Sequence, residues 1–419
     1  ERFMNSTRHW LDGLKLRASY GVIGNQNINP YTFTPSMSVN NKATSWIIDD
    51  TYVTSISSLP ALVSQNFTWE KVGTINVGLD VNLFNNRLSG VFEWYQRNTN
   101  GMLAPGVQLP AVVGASAPYQ NTADMRTRGW ELSLNWRDQI GKVGYRIGFN
   151  LSDYKSEIIK YDDNAATKLL SSYYPGQTLG EIWGYVVDGY YTVDDFVDTS
   201  SWQLKEGVTS INGYNVRPGD VKFKNLRDDD TSTNVITSGD NTFDNPGDRK
   251  VIGNTTPRYQ YGINLGMNYA GFDLNVILQG TGKRDYWISN VLTFPMNGDN
   301  FVPLFEGLSD YWMPKDPDNG DWSAVNPNAK YPRIYGNRGN SGSNLRQSDK
   351  YLSDASYLRI KNITLSYKLP KKWVNQIFLN QMKAFVSIEN VATFTSLPSG
   401  IDPELSLIHI SEPTRLRRI

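Results

Sequence analysis

Nine segments of the chain alternate apolar with polar residues, and the connections between them are by turns very short and very long. The clearest unit runs from Ile75 to Arg97. Ile75, Val77, Leu79, Val81 and Leu83 fall on one face of a strand and Asn76, Gly78, Asp80 and Asn82 on the other, because successive strand side chains point to opposite sides. Asn85-Asn86 then turns the chain. On the return Leu88, Phe92 and Trp94 share a face opposite Ser89, Glu93 and Arg97, so the hairpin has one apolar side and one wet side. A wall with lipid outside and water inside needs that dyad.

The same reading places a first strand over Leu14–Val22, followed by a polar stretch to about Gly73. A second hairpin carries Trp130, Leu132, Leu134 and Trp136 against Tyr145, Ile147, Phe149 and Leu151, with its turn at Asp138–Lys142. A third sets Tyr259, Tyr261, Ile263, Leu265, Met267 and Tyr269 before an Ala270-Gly271 turn into Phe272, Leu274, Val276 and Leu278. The last pair is Ile363–Leu369 and the less regular Met382–Phe394, with Pro370–Gln381 between them. Long connections rich in Gly, Asn, Asp, Ser and Pro, at Asn98–Arg128, Asp153–Arg258 and Gly282–Ser356, alternate with the short ones. Short turns at one rim and long loops at the other predict an antiparallel transmembrane β-barrel. Aromatics near strand ends, among them Trp94, Tyr95, Trp130, Trp136, Tyr145, Tyr259 and Tyr269, suit interfacial girdles. A soluble β-sandwich also alternates, but its connections need not alternate in length and its outer face is polar.

Composition adds an exclusion. Hydrophobics are 39% and aromatics 12% of 419 residues, with 24 Tyr and 12 Trp. No uninterrupted apolar run is long enough to cross a bilayer as a helix, whereas a barrel strand needs only about ten residues with every second one apolar. The absence of cysteine fits export through an oxidising periplasm without disulfides. The chain opens at Glu1 almost directly into a strand and shows no signal peptide, so the N-terminus is expected to be a truncation. Leu405 to Arg415 reads LSLIHISEPTR, which resembles the translation of a transposase mosaic-end sequencing adapter, and Leu405–Ile419 is expected to be foreign to the protein. Without that tail, 38 basic residues stand against 40 acidic ones, a net charge of −2 instead of 0, since the tail holds Arg415, Arg417, Arg418 and Glu412. Neither total suggests a nucleic-acid partner.

Catalysis finds little material. The two histidines are His9 and His409, so a histidine relay or histidine-ligated metal has almost nothing to build on. An enzyme is not expected. Asp228, Asp229, Asp230, Asp240, Asp244 and Asp248 crowd a stretch with Asn234, Asn241 and Gly247. These are hard-oxygen ligands and turn residues of the kind a structural Ca²⁺ uses, and Asp228, Asp230, Asp240, Asp244 and Asp248 form the candidate set. Their spacing does not match an EF-hand, and a solvated acidic loop is the plainer reading. Trp183, Tyr185, Tyr190 and Tyr191 could stack on sugars or peptides, or simply anchor a loop by packing.

Several motifs in order carry a family resemblance: NFTWEK at Asn66–Lys71 leading into NVGLD at Asn76–Asp80, LFNNRLSG at Leu83–Gly90, RTRGWEL at Arg126–Leu132, DASYLRIKN at Asp354–Asn362, IENVATF at Ile388–Phe394 and GIDPE at Gly400–Glu404. Over Leu11–Glu404 the chain resembles the SusC/RagA family of TonB-dependent outer-membrane transporters of Bacteroidota. The resemblance implies the C-terminal part of a 22-stranded barrel with long extracellular loops, localised to the outer membrane. It further implies TonB-driven import of oligosaccharides or peptides, and a SusD-like surface lipoprotein as partner. In the family the plug and the TonB box precede anything present here, so residues 1–404 are expected to be barrel alone. Asp220–Leu226 resembles the family's approach to Val251-Ile252-Gly253-Asn254, but the intervening insertion departs from the family's compact acidic loop. A soluble extracellular β-rich ligand-binding protein is the alternative, which would place polar residues where Ile75–Leu83 and Tyr259–Tyr269 are apolar.

Overall fold

The structure, a computed structural model, describes residues 7, 9–26, 68–227, 234–287, 306–335 and 342–404, apart from 108, 116, 165–166, 170–172, 377 and 399, together with short pieces between 34 and 64. Nine long strands make one sheet in sequence order. They are β1 (Leu11–Asn25), β2 (Glu70–Leu83), β3 (Leu88–Pro105), β4 (Tyr119–Ile140), β5 (Val143–Tyr161), β6 (Arg258–Tyr269), β7 (Phe272–Lys283), β8 (Tyr357–Lys368) and β9 (Lys383–Thr395). In that order β1 and β9 are the two edges. The tail expected to be foreign, 405–419, lies outside the described residues.

The chain forms two compact units, Glu1–Leu179 with Tyr261–Ile277 and Ile363–Ile388, and Gly180–Gln260 with Leu278–Asn362 and Glu389–Ile419. In the first, the antiparallel register lines up the apolar positions. Leu16, Leu79, Phe92, Leu132 and Leu151 form one row across β1 to β5, and Leu14, Val81, Gly90, Leu134 and Phe149 the next. Ala18, Val77, Trp94 and Trp130 lie on one side of these two rows, and Leu83, Leu88, Trp136 and Ile147 on the other. Four rows two residues apart span roughly 20 Å along the strands, and a tilt of about 40° reduces this to ~15 Å of height, which fits within a lipid-facing band of about 25 Å. Tryptophans mark both limits. Trp94 is paired with Trp130 at one, and at the other the Phe84 and Trp136 rings lie 6.2 Å apart with Trp136 Nε1 donating to the Tyr145 hydroxyl at 3.3 Å.

The strands outrun the alternation that announced them. The sequence predicts a loop over Asn98–Arg128, but β3 continues to Pro105 and β4 begins at Tyr119, leaving only 106–118 as the connection. Beyond the Trp94 row the former apolar face carries Gln96, Arg128 and Lys155, paired in register, and both faces are polar. Alternation reports where lipid ends, whereas backbone pairing continues wherever two strands stay adjacent. The second turn is likewise tighter than expected, since β4 and β5 leave only Gly141-Lys142 between them. At Ala270-Gly271 both residues are left-handed, φ 48° and 90°, the type I′ arrangement whose twist matches the flanking strands.

The second unit shows that the expected loop Asp153–Arg258 is largely folded. β5 takes its first residues, and after it Glu181–Tyr185 pairs with Arg249–Asn254 and Val187–Tyr190 with Val221–Phe223. Tyr185, Tyr191, Phe196, Ile211, Val216, Val221, Phe223 and Ile236 form a core of their own. Leu308, Tyr331 and Tyr351 make another. Burying several aromatic rings outweighs the ordering of short strands that local pairing alone would not hold.

Candidate functional site

Opposite the apolar rows, the first unit presents a polar wall. On it the Arg17 guanidinium donates from Nε to Asp80 Oδ2 at 3.0 Å and from Nη2 to Asp80 Oδ1 at 2.8 Å and Glu93 Oε1 at 2.6 Å. Gly78 stands opposite Arg17, and a Cβ there would lie 2.9 Å from Nη2, so this strand glycine makes room for the side chain that crosses it. Nearer the short turns, Asn82, Ser89, Asn135 and Gly148 share a register row. With Asn264, Arg137 and Arg146 they line a cavity of about 350 Å³. Arg146 Nη2 donates to Asn275 Oδ1 at 3.4 Å and pairs with Asp273 at 3.5 Å. Amides, a hydroxyl and compensated charges side by side hydrogen-bond to water or a polar solute without gripping one group tightly. Among the described residues His9 is the one histidine.

The acidic set separates into individual tasks. Asp228, Asp229 and Asp230 lie outside the described residues. Asp248 is buried and accepts from the Leu226 and Thr237 backbone N–H groups at 2.9 and 2.7 Å. Asp240 accepts from Asn245 Nδ2 at 3.1 Å, and Asp244 offers its backbone carbonyl to Arg227 Nη2 at 3.3 Å. Among the described residues no three acidic or histidine side chains converge on a metal-sized position.

A carboxylate that spacing could not single out is Asp220, 1% exposed. It accepts from Asn344 Nδ2 at 2.8 Å, the Tyr335 hydroxyl at 2.7 Å and the Arg217 N–H at 2.8 Å. Burial pushes its carboxyl above the ordinary range, against the opposing pull of those donors. Two of the partners are 115 and 124 residues away, so no local motif could have shown them.

The aromatic group Trp183, Tyr185, Tyr190 and Tyr191 turns out to pack. Trp183 is 9%, Tyr185 7% and Tyr191 0% exposed, and Tyr190 donates its hydroxyl to the Ala329 carbonyl at 2.9 Å. Two further rings, which the sequence did not mark, are half-buried. Trp202 and Trp322 meet edge to face at 5.0 Å, with Arg217 5.5 Å from the Trp202 ring and Arg333 5.0 Å from the Trp322 ring. Such ring and guanidinium faces stack on sugar or peptide surfaces. Elsewhere in this unit Arg359, 7% exposed, clamps the 402–404 segment through Asp402 and Glu404, both at 2.6 Å.

Residues 8–391 match the family model described as TonB dependent receptor-like, beta-barrel. The chain is 28% identical over 405 residues to TonB-dependent receptor P3 of Formosa agariphila, covering 93% of this chain and 36% of that protein. It is 25% identical over 407 residues to TonB-dependent receptor SusC of Bacteroides thetaiotaomicron, covering 94% and 35%. The chain thus spans little more than a third of the curated relatives it matches. Among solved structures, the RagAB peptide importer in its open-open state superposes with a TM-score of 0.67 at 23% identity, over 94% of this chain and 38% of that one, which is a likeness of fold.

Proposed function

The chain belongs to the TonB-dependent receptor β-barrel family, a family of outer-membrane proteins, and on that premise we propose that its strands wall part of an importer for large polar nutrients, oligosaccharides or peptides. The observation that carries this is the two-faced sheet, with four apolar rows on one side and the aligned Asn82, Ser89, Asn135 row and the Arg17, Asp80, Glu93 network on the other. In this reading lipid covers the apolar rows and a polar solute passes along the wet face. A SusD-like surface lipoprotein caps the long-loop side, and TonB supplies energy through a part of the protein outside this chain. The short turns at 84–87, 141–142 and 270–271 then face the periplasm and the long connections the exterior.

Family membership argues against the soluble binding protein, and so does the apolar face itself. Leu16, Phe92, Trp94, Leu265 and Leu365 are between 39% and 74% exposed on the sheet, a cost in water and none in lipid. The test is uptake by cells with the gene intact, deleted, or intact in a strain lacking TonB, using fluorescent oligosaccharides and peptides in parallel. Loss of one class in both mutants supports the proposal and names the substrate class. Unchanged uptake of both classes overturns it, and failure of the full-length protein to retain a surface lipoprotein on purification overturns the partner.

A further inference from the structure

The connection from β8 to β9 is built unlike the other short turns. Residues 369–382 include a helical turn, Lys371–Gln376, where Ala270-Gly271 reverses the chain in two residues. Both lie at the same rim, because the Lys368 N–H donates to the Gly271 carbonyl at 2.8 Å and the Phe272 and Tyr367 rings are 4.5 Å apart. The segment is locally closed. Val374 is 1% exposed, the Trp373 N–H donates to the Pro370 carbonyl at 3.0 Å, the Leu379 N–H to the Val374 carbonyl at 3.2 Å, and the Leu369 N–H to the Met382 carbonyl at 3.0 Å.

Its outer surface is apolar all the same. Trp373 is 58%, Phe378 98%, Leu379 47% and Met382 43% exposed. Phe378 sits at φ 61°, a conformation bulky residues rarely adopt, while its N–H bonds to the Asn375 carbonyl at 3.2 Å, so the turn itself presents the ring. Lys368, Lys371, Lys372 and Lys383 flank these residues, and 370–383 contains no carboxylate. Along β8 and β9 the apolar surface continues without a break into Leu365, Val386 and Ile388, which are 48%, 68% and 56% exposed. Aromatic and aliphatic side chains ringed by lysines, at the end of a lipid-facing band, have the chemistry of a membrane interface.

We infer that residues 370–376 and 378–383 form a lipid-surface site, with Trp373, Phe378 and Leu379 seated at the boundary of headgroups and acyl chains and Lys371 and Lys372 holding the phosphate of an anionic phospholipid. Continuity with the lipid-facing band and the excess of positive charge select this occupant over a protein partner. The inference rests on the reading that the short-turn rim is one edge of a lipid-embedded wall.

The test puts a nitroxide on Phe378→Cys, Leu79→Cys and Lys142→Cys of the full-length protein, in vesicles of phosphatidylethanolamine and phosphatidylglycerol, and compares accessibility to oxygen with accessibility to a water-soluble nickel chelate. The label at 378 should be oxygen-exposed and nickel-shielded like that at 79, unlike that at 142. Lys371→Gln/Lys372→Gln should lower affinity for phosphatidylglycerol about 30-fold, at about fivefold per lysine near an anionic surface, with phosphatidylcholine binding unchanged. A nickel-accessible label at 378 beside a shielded one at 79 overturns the site, as does unchanged phosphatidylglycerol affinity in the double variant. A nickel-accessible label at 79 overturns the membrane orientation, and the site with it.

Discussion

Leu79→Arg puts the lipid-facing assignment at direct risk. Leu79 lies in the row of Leu16 and Phe92, one row from the Trp94 and Trp130 pair and two from Leu88 and Trp136. Those steps are roughly 7 and 14 Å along the strand. A midplane arginine costs about 2–4 kcal/mol in a barrel. Here the guanidinium can lean one row toward the Trp94 level and recover part of its hydration, which sets the expected loss at about 2–3 kcal/mol, or roughly 30- to 140-fold in the folding constant. The control is Asn76→Arg on the opposite face, where Asn76 Nδ2 is 3.5 Å from Glu93 Oε2 and a guanidinium meets carboxylates and water. That substitution should stay within about 0.5 kcal/mol. Urea titration of the full-length protein in phosphatidylcholine vesicles, followed by tryptophan fluorescence and by gel mobility before and after heating, separates the two. Equal losses for both variants would refute the assignment, and a larger loss for Asn76→Arg would invert it.

Further outcomes are expected elsewhere. An epitope tag at Asn85 should be shielded on intact cells while one within 111–113 is labelled; the reverse pattern inverts the topology. Arg359→Ala removes a buried partner of the Asp402 and Glu404 carboxylates, but Glu404 keeps Lys361 and Asp402 is partly exposed, so the loss should be about 1–3 kcal/mol, with faster amide exchange over 396–404 as the readout. Asp220→Asn turns an N–H toward one of the donors from Asn344, Tyr335 or Arg217, for a loss of about 1–3 kcal/mol. Because burial raises the Asp220 carboxyl in the folded state, its contribution is full below the ordinary carboxylate range and falls as pH climbs through the raised value; exchange protection of 221–223 should show that decline in wild type and lack it in the variant. Gly219→Ala should destabilise the second unit by about 1–3 kcal/mol in thermal unfolding, because Gly219 sits at φ 91° and an added Cβ would fall on the Trp312 ring.

The membrane-facing pattern is written into the amino-acid sequence. The faces of Ile75–Leu83 and Leu88–Trp94, the turns at Asn85-Asn86 and Ala270-Gly271, and the order of long and short connections are all legible in it, because a strand with lipid on one side and water on the other must write a period of two into its residues. The ends of the strands are not. Past Trp94 both faces are wet, the period vanishes, and only pairing with the neighbouring strand carries β3 to Pro105 and β4 back to Tyr119. The second unit reads as loop for a related reason. Its short strands have no periodicity to show, and its core forms when Tyr185, Phe196, Val221 and Ile236 come together across the chain. The same distance hid Asp220 with Tyr335 and Asn344, and Trp202 with Trp322. Side-chain alternation is a local record of the solvent on each face, whereas a buried carboxylate's donors or a ring's partner are decided by tertiary contacts between residues far apart in the chain, which no spacing encodes.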